Sequence, residues 1–262
     1  MNSLRIAFAG DRDISVWVLK FILEQGITPQ ALLVSDVKHA THADELVTLC
    51  NHLPDPLIMR GSAFRNPKNL IALKAQSLDY IIGIHFPYIV PETVLSIPKF
   101  GVLNLHPAYL PFNRGWHTPS WAILEETPVG ATLHFMNSEI DKGDIVLQRQ
   151  LDISPGDTAN SLYQRIKLLE FEVFKKAWPH IIGNTYQRLK QSSSVGTSHL
   201  REDLLKEKIQ RINLAESIEA GKLIKKLRAL TTNQINEAAY YEVEGRRFRI
   251  QLIISEDGDG QF

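Results

Sequence analysis

The sequence predicts an α/β fold, with a mostly parallel sheet, helices on both faces, and a small C-terminal helix and β-hairpin module. Three observations predict it. Short apolar runs alternate with helix-length segments over roughly the first 100 residues, as in parallel strands joined by crossover helices. Of the 262 residues 44% are hydrophobic, enough for one large core or one domain plus an appendage. The C-terminal part changes to one amphipathic helix and two strand-like runs around a glycine-containing turn.

Leu4–Ala9 (LRIAFA) is too brief for a helix and reads as a buried strand, broken by Gly10. Asp13 is placed to cap a helix over Ile14–Gln25, with Gly26 where a helix end tolerates positive φ. Ala31–Ser35 is the second strand, Ala43–Leu53 a helix and Leu57–Met59 a short apolar segment. Lys68–Gln76 reads as a helix, and Tyr80–Phe86 and Gly101–Leu105 as buried strands. After Pro119 come a helix over Ser120–Glu125 and a strand over Gly130–Met136. Ile145–Ile153 alternates so as to leave one wet face, as antiparallel or edge strands do. Asp157 is expected to cap a long helix whose Leu162, Ile166, Leu169 and Val173 form one stripe, with Pro179 and Gly183 closing it.

Gln191–Ser198 (QSSSVGTS) reads as a linker or mobile loop, dividing a main domain over 1–190 from a small subdomain over 191–262. In the subdomain Ala220, Leu223, Ile224 and Leu227 make a helical stripe. Tyr240–Val243, Glu244-Gly245 and Arg246–Ile254 read as a hairpin. An isolated hairpin is marginal in water, so this one is expected to pack on the main domain or on a second subunit.

Composition excludes several classes. Twenty-nine Lys+Arg balance twenty-nine Asp+Glu, so a phosphate-gripping nucleic-acid binder is not expected, and no nucleic acid is expected as partner. Residues 196–262 hold eleven of each sign, which makes Lys222, Lys225 and Lys226 a solvated helix face. One cysteine, Cys50, excludes an internal disulfide framework and a Cys-rich zinc module. His39, His42 and His52 with Cys50 match no compact zinc spacing and read as surface histidines, so no metal is expected. No run approaches ~18 apolar residues, and the first residues lack the apolar core of a signal peptide. A soluble, cytoplasmic protein without a membrane partner is the expectation. Gly10 is followed by no glycine until Gly26, so the dinucleotide fingerprint fails and NAD is not expected.

In open α/β sheets ligands bind beyond the carboxyl ends of the strands. Asn104 and His106 stand at i and i+2 of such an end and face one side. Pro107, Pro111 and Gly115 impose an irregular loop, and Asp141 follows in a polar loop between two strands. An amide, an imidazole and a carboxylate that converge suit acyl transfer: the first stabilises an oxyanion, the second moves a proton, the third orients the second. No Ser or Cys in the pattern is an obvious nucleophile, which fits direct attack by the substrate. From spacing alone a satisfied structural histidine is the stronger reading. Arg12 either meets an anionic substrate or is a surface arginine. His85 and His134, inside apolar strands, read as hydrogen-bonded core histidines, with His134 able to face the site.

Two segments, NLHPAYLPFNRG (Asn104–Gly115) and IDKGDI (Ile140–Ile145), resemble the signature of the N10-formyltetrahydrofolate-dependent formyltransferases, in matching element order over Leu4–Ile153. The resemblance implies a Rossmann-like catalytic domain, N10-formyltetrahydrofolate as co-substrate and no metal. It implies His106 as general base on the attacking amine and Asn104 as hydrogen-bond donor to the formyl oxygen as it gains charge. Asp141 would hold His106 in its working tautomer and relay protons. Main-chain groups of two loops would bind the pterin, here Phe86, Tyr88, Ile89 and Val90, and Ser138, Glu139, Ile140 and Lys142. Phe86, Tyr88 and Ile89 also fit ordinary packing.

FNRGWHTPSW (Phe112–Trp121) and INEAAYYEVEGRRFRIQLII (Ile235–Ile254) resemble the branch that formylates nucleotide-linked amino sugars. That branch implies a dTDP-linked amino-deoxy sugar as substrate, a role in surface polysaccharide (O-antigen, lipopolysaccharide) synthesis, and a homodimer through the C-terminal hairpin. Arg12 and Arg114 would meet the diphosphate and Trp116 the base, beside Asn113. His117 either touches the sugar or does not, Arg114 alternatively ties its loop together, and Trp121 reads as core. One alternative is methionyl-tRNA formylation, whose enzymes usually continue into a larger, positive barrel than this neutral tail. The other is a folate- or nucleotide-binding module without catalysis, against which the intact Asn104, His106 and Asp141 speak.

Overall fold

The computed structural model describes residues 4–192 and 194–257. By packing, the chain divides into two compact units. The first takes in residues up to 106, with 132–148 and 170–191; the second takes in 107–131, 149–169 and those from 192 on.

Five strands, β1 (Ile6–Gly10), β2 (Ala31–Val34), β3 (Ile58–Arg60), β4 (Tyr80–Ile84) and β5 (Gly101–His106), are parallel in the order β3-β2-β1-β4-β5. The two-residue β6 (Arg114–Gly115) lies outside this sheet, while β7 (Val129–Phe135) pairs antiparallel with β5 and β8 (Ile145–Leu151) forms the edge. The connecting helices are α1 (Asp13–Glu24), α2 (Ala43–Leu49), α3 (Pro67–Ala75), α4 (Glu92–Leu95), α5 (Thr118–Glu125) and α6 (Ala159–Gly183). This is the expected α/β architecture, and its strand order reverses at β1 and β4, where such folds place ligands.

Successive strand residues face opposite sides, so a sheet covered on both faces needs uninterrupted apolar strands. Ala7 and Ala9 of β1 join Leu33, Phe64, Leu73 and Val94 in one cluster, while the alternate residues Ile6 and Phe8 are wholly buried on the other face. Phe21 of α1 meets Phe171, Phe174 and Trp178 edge-on at 6.1–6.4 Å between centroids, which ties α1 to the later part of α6.

The second unit contains the strand β9 (Ser198–His199), parallel to β6, the helices α7 (Glu207–Gln210) and α8 (Ala220–Ala229), and the hairpin β10 (Ala239–Val243) and β11 (Arg246–Ile250). Its clusters join Ala122, Ile123, Leu162 and Ile166 to Ala229, and Trp121 to Leu204, Leu227 and Leu230. Glu244 and Gly245, at φ +51° and +73°, make the turn with both central residues left-handed that matches strand twist.

Several boundaries move for identifiable reasons. Gly10 is the last residue of β1, because it still pairs with Val34 and Ile84. Arg12, not Asp13, is the N-cap of α1. β4 stops at Ile84 and His85 turns left-handed at φ +49°. Its Nε2 lies 2.8 Å from a carboxylate oxygen of the wholly buried Glu170, a hydrogen bond. α5 starts before Pro119, which is tolerated there because first-turn N–H groups have no helical partner. Thr158 Oγ1 accepts from the Ser161 N–H at the start of α6, so Asp157 lies one residue outside the cap. Pro179 is inside α6, which continues to Gly183. In α8 Leu227 is buried but Ile224 is 50% exposed, so the apolar stripe is only partly covered. The expected linker is hydrogen-bonded: Gln191 reaches two carbonyls and Thr197 Oγ1 accepts from the Asn113 N–H.

Cys50 is wholly buried, and burial pushes its thiol up to about 12. Iodoacetamide is therefore expected to leave the native protein unmodified at pH 8 and to alkylate it once in denaturant, because the thiolate is the reactive form. Mass spectrometry before and after unfolding checks this; rapid native alkylation would contradict the burial. His39 binds Asp36 at 2.9 Å and His52 Nε2 lies 2.9 Å from the Pro29 carbonyl. Among the described residues no group of three or more His, Cys, Asp or Glu could hold a metal ion. No helix among them is long and apolar enough to cross a membrane.

Candidate active site

β5 ends in Asn104-Leu105-His106, and alternation sends Asn104 and His106 to the same face. The antiparallel register with β7 sets Asn104 opposite His134, which brings a second imidazole to that face. Asn104 is 9% exposed, His106 6% and His134 0%. Asp141 comes from the loop between β7 and β8, with φ +52°, a backbone region that non-glycine residues seldom adopt.

The hydrogen bonds assign the tautomer of His134. Its Nδ1 lies 2.8 Å from the Phe135 carbonyl, which only accepts, so Nδ1 carries a hydrogen. In the neutral ring Nε2 is then a lone pair, and it accepts from Asn104 Nδ2 at 3.1 Å. The same Asn104 nitrogen lies 3.4 Å from Asp141 Oδ1. The other carboxylate oxygen, Oδ2, stands 3.6 Å from His106 Nε2, and Oδ1 is 3.5 Å from His134 Nε2. One carboxylate thus faces two imidazoles and an amide, with its side chain only 13% exposed, where charges act more strongly than in water. The group can accept a proton at imidazole, stabilise the resulting imidazolium by carboxylate, and donate an N–H to an oxygen that gains charge.

His134 is the site residue that spacing did not single out. It is a hydrogen-bonded core histidine and a member of the site at once, and the only clue in the sequence is its place in an apolar strand.

The two expected folate loops belong to the same unit. Phe86 and Tyr88 pack on Phe64 at 5.4 and 6.3 Å, and Val90 lies against the same cluster. The Tyr88 hydroxyl donates to Asp36 at 2.8 Å, and the hydrogen bonds from His39 and Tyr88 hold the Asp36 carboxyl down to about 2. Ile89 is 70% and Ile140 54% exposed. Ser138 and Glu139 are exposed, and Lys142 pairs with Glu139.

Arg12, in the first unit, is half-buried at the start of α1. The other expected substrate contacts belong to the second. Asn113, 1% exposed at φ +55°, ties its loop by donating to Thr127 Oγ1 at 2.9 Å. Arg114 is buried in β6, held by the pairing with β9, which fits the loop-tying alternative. Trp116 is 39% exposed, and the Arg201 guanidinium lies 5.1 Å from its ring centroid. The His117 ring uses Nε2 on the Arg201 carbonyl at 3.1 Å and has Nδ1 3.7 Å from Glu237. Trp121 is core, stacked on His199 at 3.9 Å.

Comparison with known proteins follows the same line. Residues 28–178 match a family model described as Formyl transferase, and residues 206–256 match one described as the N-formyltransferase dimerization C-terminal domain. A dTDP-4-amino-4,6-dideoxyglucose formyltransferase of Mycobacterium tuberculosis is 26% identical over 184 residues, 70% of this chain and 76% of that one. A methionyl-tRNA formyltransferase of Geobacter sulfurreducens is 27% identical over 201 residues, 74% of this chain and 63% of that one. Among solved structures, a sugar N-formyltransferase from Shewanella sp FDAARGOS_354 has a TM-score of 0.81 at 24% identity, covering 97% of this chain and 99% of that one. A sugar 3N-formyl transferase crystallised in the presence of dTDP and 5-N-formyl-THF has a TM-score of 0.66 at 22% identity, covering 92% and 85%. The structural likenesses establish the fold.

Proposed function

The chain belongs to the formyl transferase family, and from that premise we propose that it moves a formyl group from N10-formyltetrahydrofolate to the amine of a dTDP-linked amino-deoxy sugar. The observation that carries the reading is the convergence of Asn104, His106 and Asp141, with His134, at the end of β5. The sugar branch is supported by the match of residues 206–256, by the likeness to an enzyme of dTDP-4-amino-4,6-dideoxyglucose, and by a net charge of zero. A tRNA ligand would favour a basic surplus.

The folate supplies the formyl group when bound. Ile89 and Ile140, large apolar side chains left in the open, fit a flat heteroaromatic ring held by main-chain groups of residues 86–90 and 138–142. His106 Nε2 takes the proton that the amine loses as its nitrogen bonds to the formyl carbon, and returns a proton to the nitrogen that leaves. Asp141 stabilises the imidazolium meanwhile. Of the two Asn104 N–H groups, the one in the long 3.4 Å contact with Asp141 is the more weakly held and is the donor offered to the formyl oxygen, while the other bonds His134. In the second unit, Trp116 with Arg201 above it offers a flat face and a cation for the nucleotide, and Arg201 is exposed where Arg114 is not.

In this reading residues 1–190 are the catalytic part and 191–262 the linker and small subdomain. The enzyme works in the cytoplasm, ahead of surface polysaccharide assembly. Two copies pair through the hairpin, supported by Tyr241 stacked on Phe248 at 5.4 Å and by Val243 and Phe248 exposed at 41% and 40%.

The test is mass spectrometry of products from the purified protein, N10-formyltetrahydrofolate, and a panel of dTDP- and UDP-linked 3-amino and 4-amino sugars with methionyl-tRNA alongside. A dTDP-sugar heavier by one formyl group is the expected result. Transfer to methionyl-tRNA alone would overturn the sugar reading, and transfer to nothing in the panel would count against catalysis altogether.

A further inference from the structure

The turn that carries Asp141 is pinned from two sides. On one, Phe135 N–H donates to the Asp144 carbonyl at 2.8 Å, and Gly143 comes so near β7 that a Cβ there would stand 1.8 Å from the Phe135 oxygen. On the other lies the segment that follows α6. Leu189 and Ile145 exchange both backbone hydrogen bonds, at 2.8 and 2.9 Å. Continuing that antiparallel register by two residues puts Gln191 opposite Gly143. From there Gln191 Nε2 donates to the carbonyls of Asp141 and Gly143, both at 2.8 Å. Two carbonyl oxygens can be satisfied only by the NH2 end of a carboxamide, so the orientation of the amide is determined and each of its hydrogens has one acceptor.

We infer that Gln191 is a positioning residue: its carboxamide clamps the left-handed Asp141 turn and thereby sets the Asp141 carboxylate against Asn104, His134 and His106. A backbone at φ +52° in a non-glycine residue persists only when its surroundings over-determine it. Gln191 supplies a hydrogen bond to the strained residue itself and one two residues on, bracketing the bend. The inference rests on the catalytic role proposed for Asp141. It assigns a function to the first residue of a segment that reads, by composition, as a linker.

Three variants of the full chain test it. Q191M keeps length and loses both donors, Q191K keeps a donor, and D141N removes the charge the clamp is held to position. With the sugar that accepts formyl, Q191M is expected to lower kcat about tenfold or more with KM within about twofold, and Q191K to restore kcat to within about threefold of the parent. In the D141N background Q191M is expected to cost less than about twofold further, because its effect passes through the group already removed. An unchanged kcat in Q191M, or the same loss in both backgrounds, would overturn the inference. If the parent protein formylates nothing, the functional reading fails and the clamp is decided by amide hydrogen exchange over residues 137–144. Exchange about tenfold faster than in the parent in Q191M but not in Q191K supports it, and equal rates in the parent, Q191M and Q191K overturn it.

Discussion

Replacing His106 by Ala is expected to lower kcat about 10³-fold, the middle to upper part of what a positioned general base contributes, while the folate still binds with its Kd within about threefold. The side chain is 8% exposed and its Nε2 stands 3.6 Å from Asp141 Oδ2, the carboxylate that would stabilise its imidazolium, so the alanine variant loses both the base and the carboxylate's partner. Removing the ring leaves the two loops proposed for the folate intact, since both are held by contacts of their own. Single-turnover kinetics against folate titration by fluorescence separates the two effects. A His106→Ala protein that turns over at the parent rate would remove His106 from the chemistry. One that no longer binds folate would give His106 a binding role instead.

Asn104→Ala is expected to lower kcat and kcat/KM together by about 10²–10³-fold, the pattern of a donor whose bond strengthens only as the formyl oxygen gains charge. The substitution also strips His134 Nε2 of its donor, an acceptor in a residue with no exposure. A buried acceptor left unsatisfied costs about 1–3 kcal/mol, so the variant should also unfold at lower urea. Asn104→Asp separates these consequences. It keeps the volume but offers acceptors where His134 and Asp141 already supply them, so activity should fall at least as far. Full activity in either variant would exclude the amide from the mechanism.

Much of the fold was legible because its signals are local. The apolar runs of β1, β2, β4 and β5 mark strands buried on both faces, and the stripe Leu162, Ile166, Leu169, Val173 is buried as its spacing predicts. The errors fall at ends, where competing local effects decide. The helix expected after Pro119 begins at Thr118, since proline suits a first turn, and of the two residues expected to close α6 Gly183 ends it while Pro179 lies inside. The site was partly legible for the same reason. Asn104 and His106 are two apart on one strand, so period 2 alone joins them.

By itself, the sequence determined the sheet, the face that Asn104 and His106 share, and membership of a family whose motifs lie in two short segments. Only tertiary structure decided that His134 completes the site from 30 residues away, that Gln191 reaches back 50 residues to the Asp141 carbonyl, and that Asn113 and Arg114 turn inward while Trp116 stays open. The physical reason is that strand register and loop closure depend on contacts between residues far apart in the chain. A local pattern specifies which way a side chain alternates, but not which partner it meets.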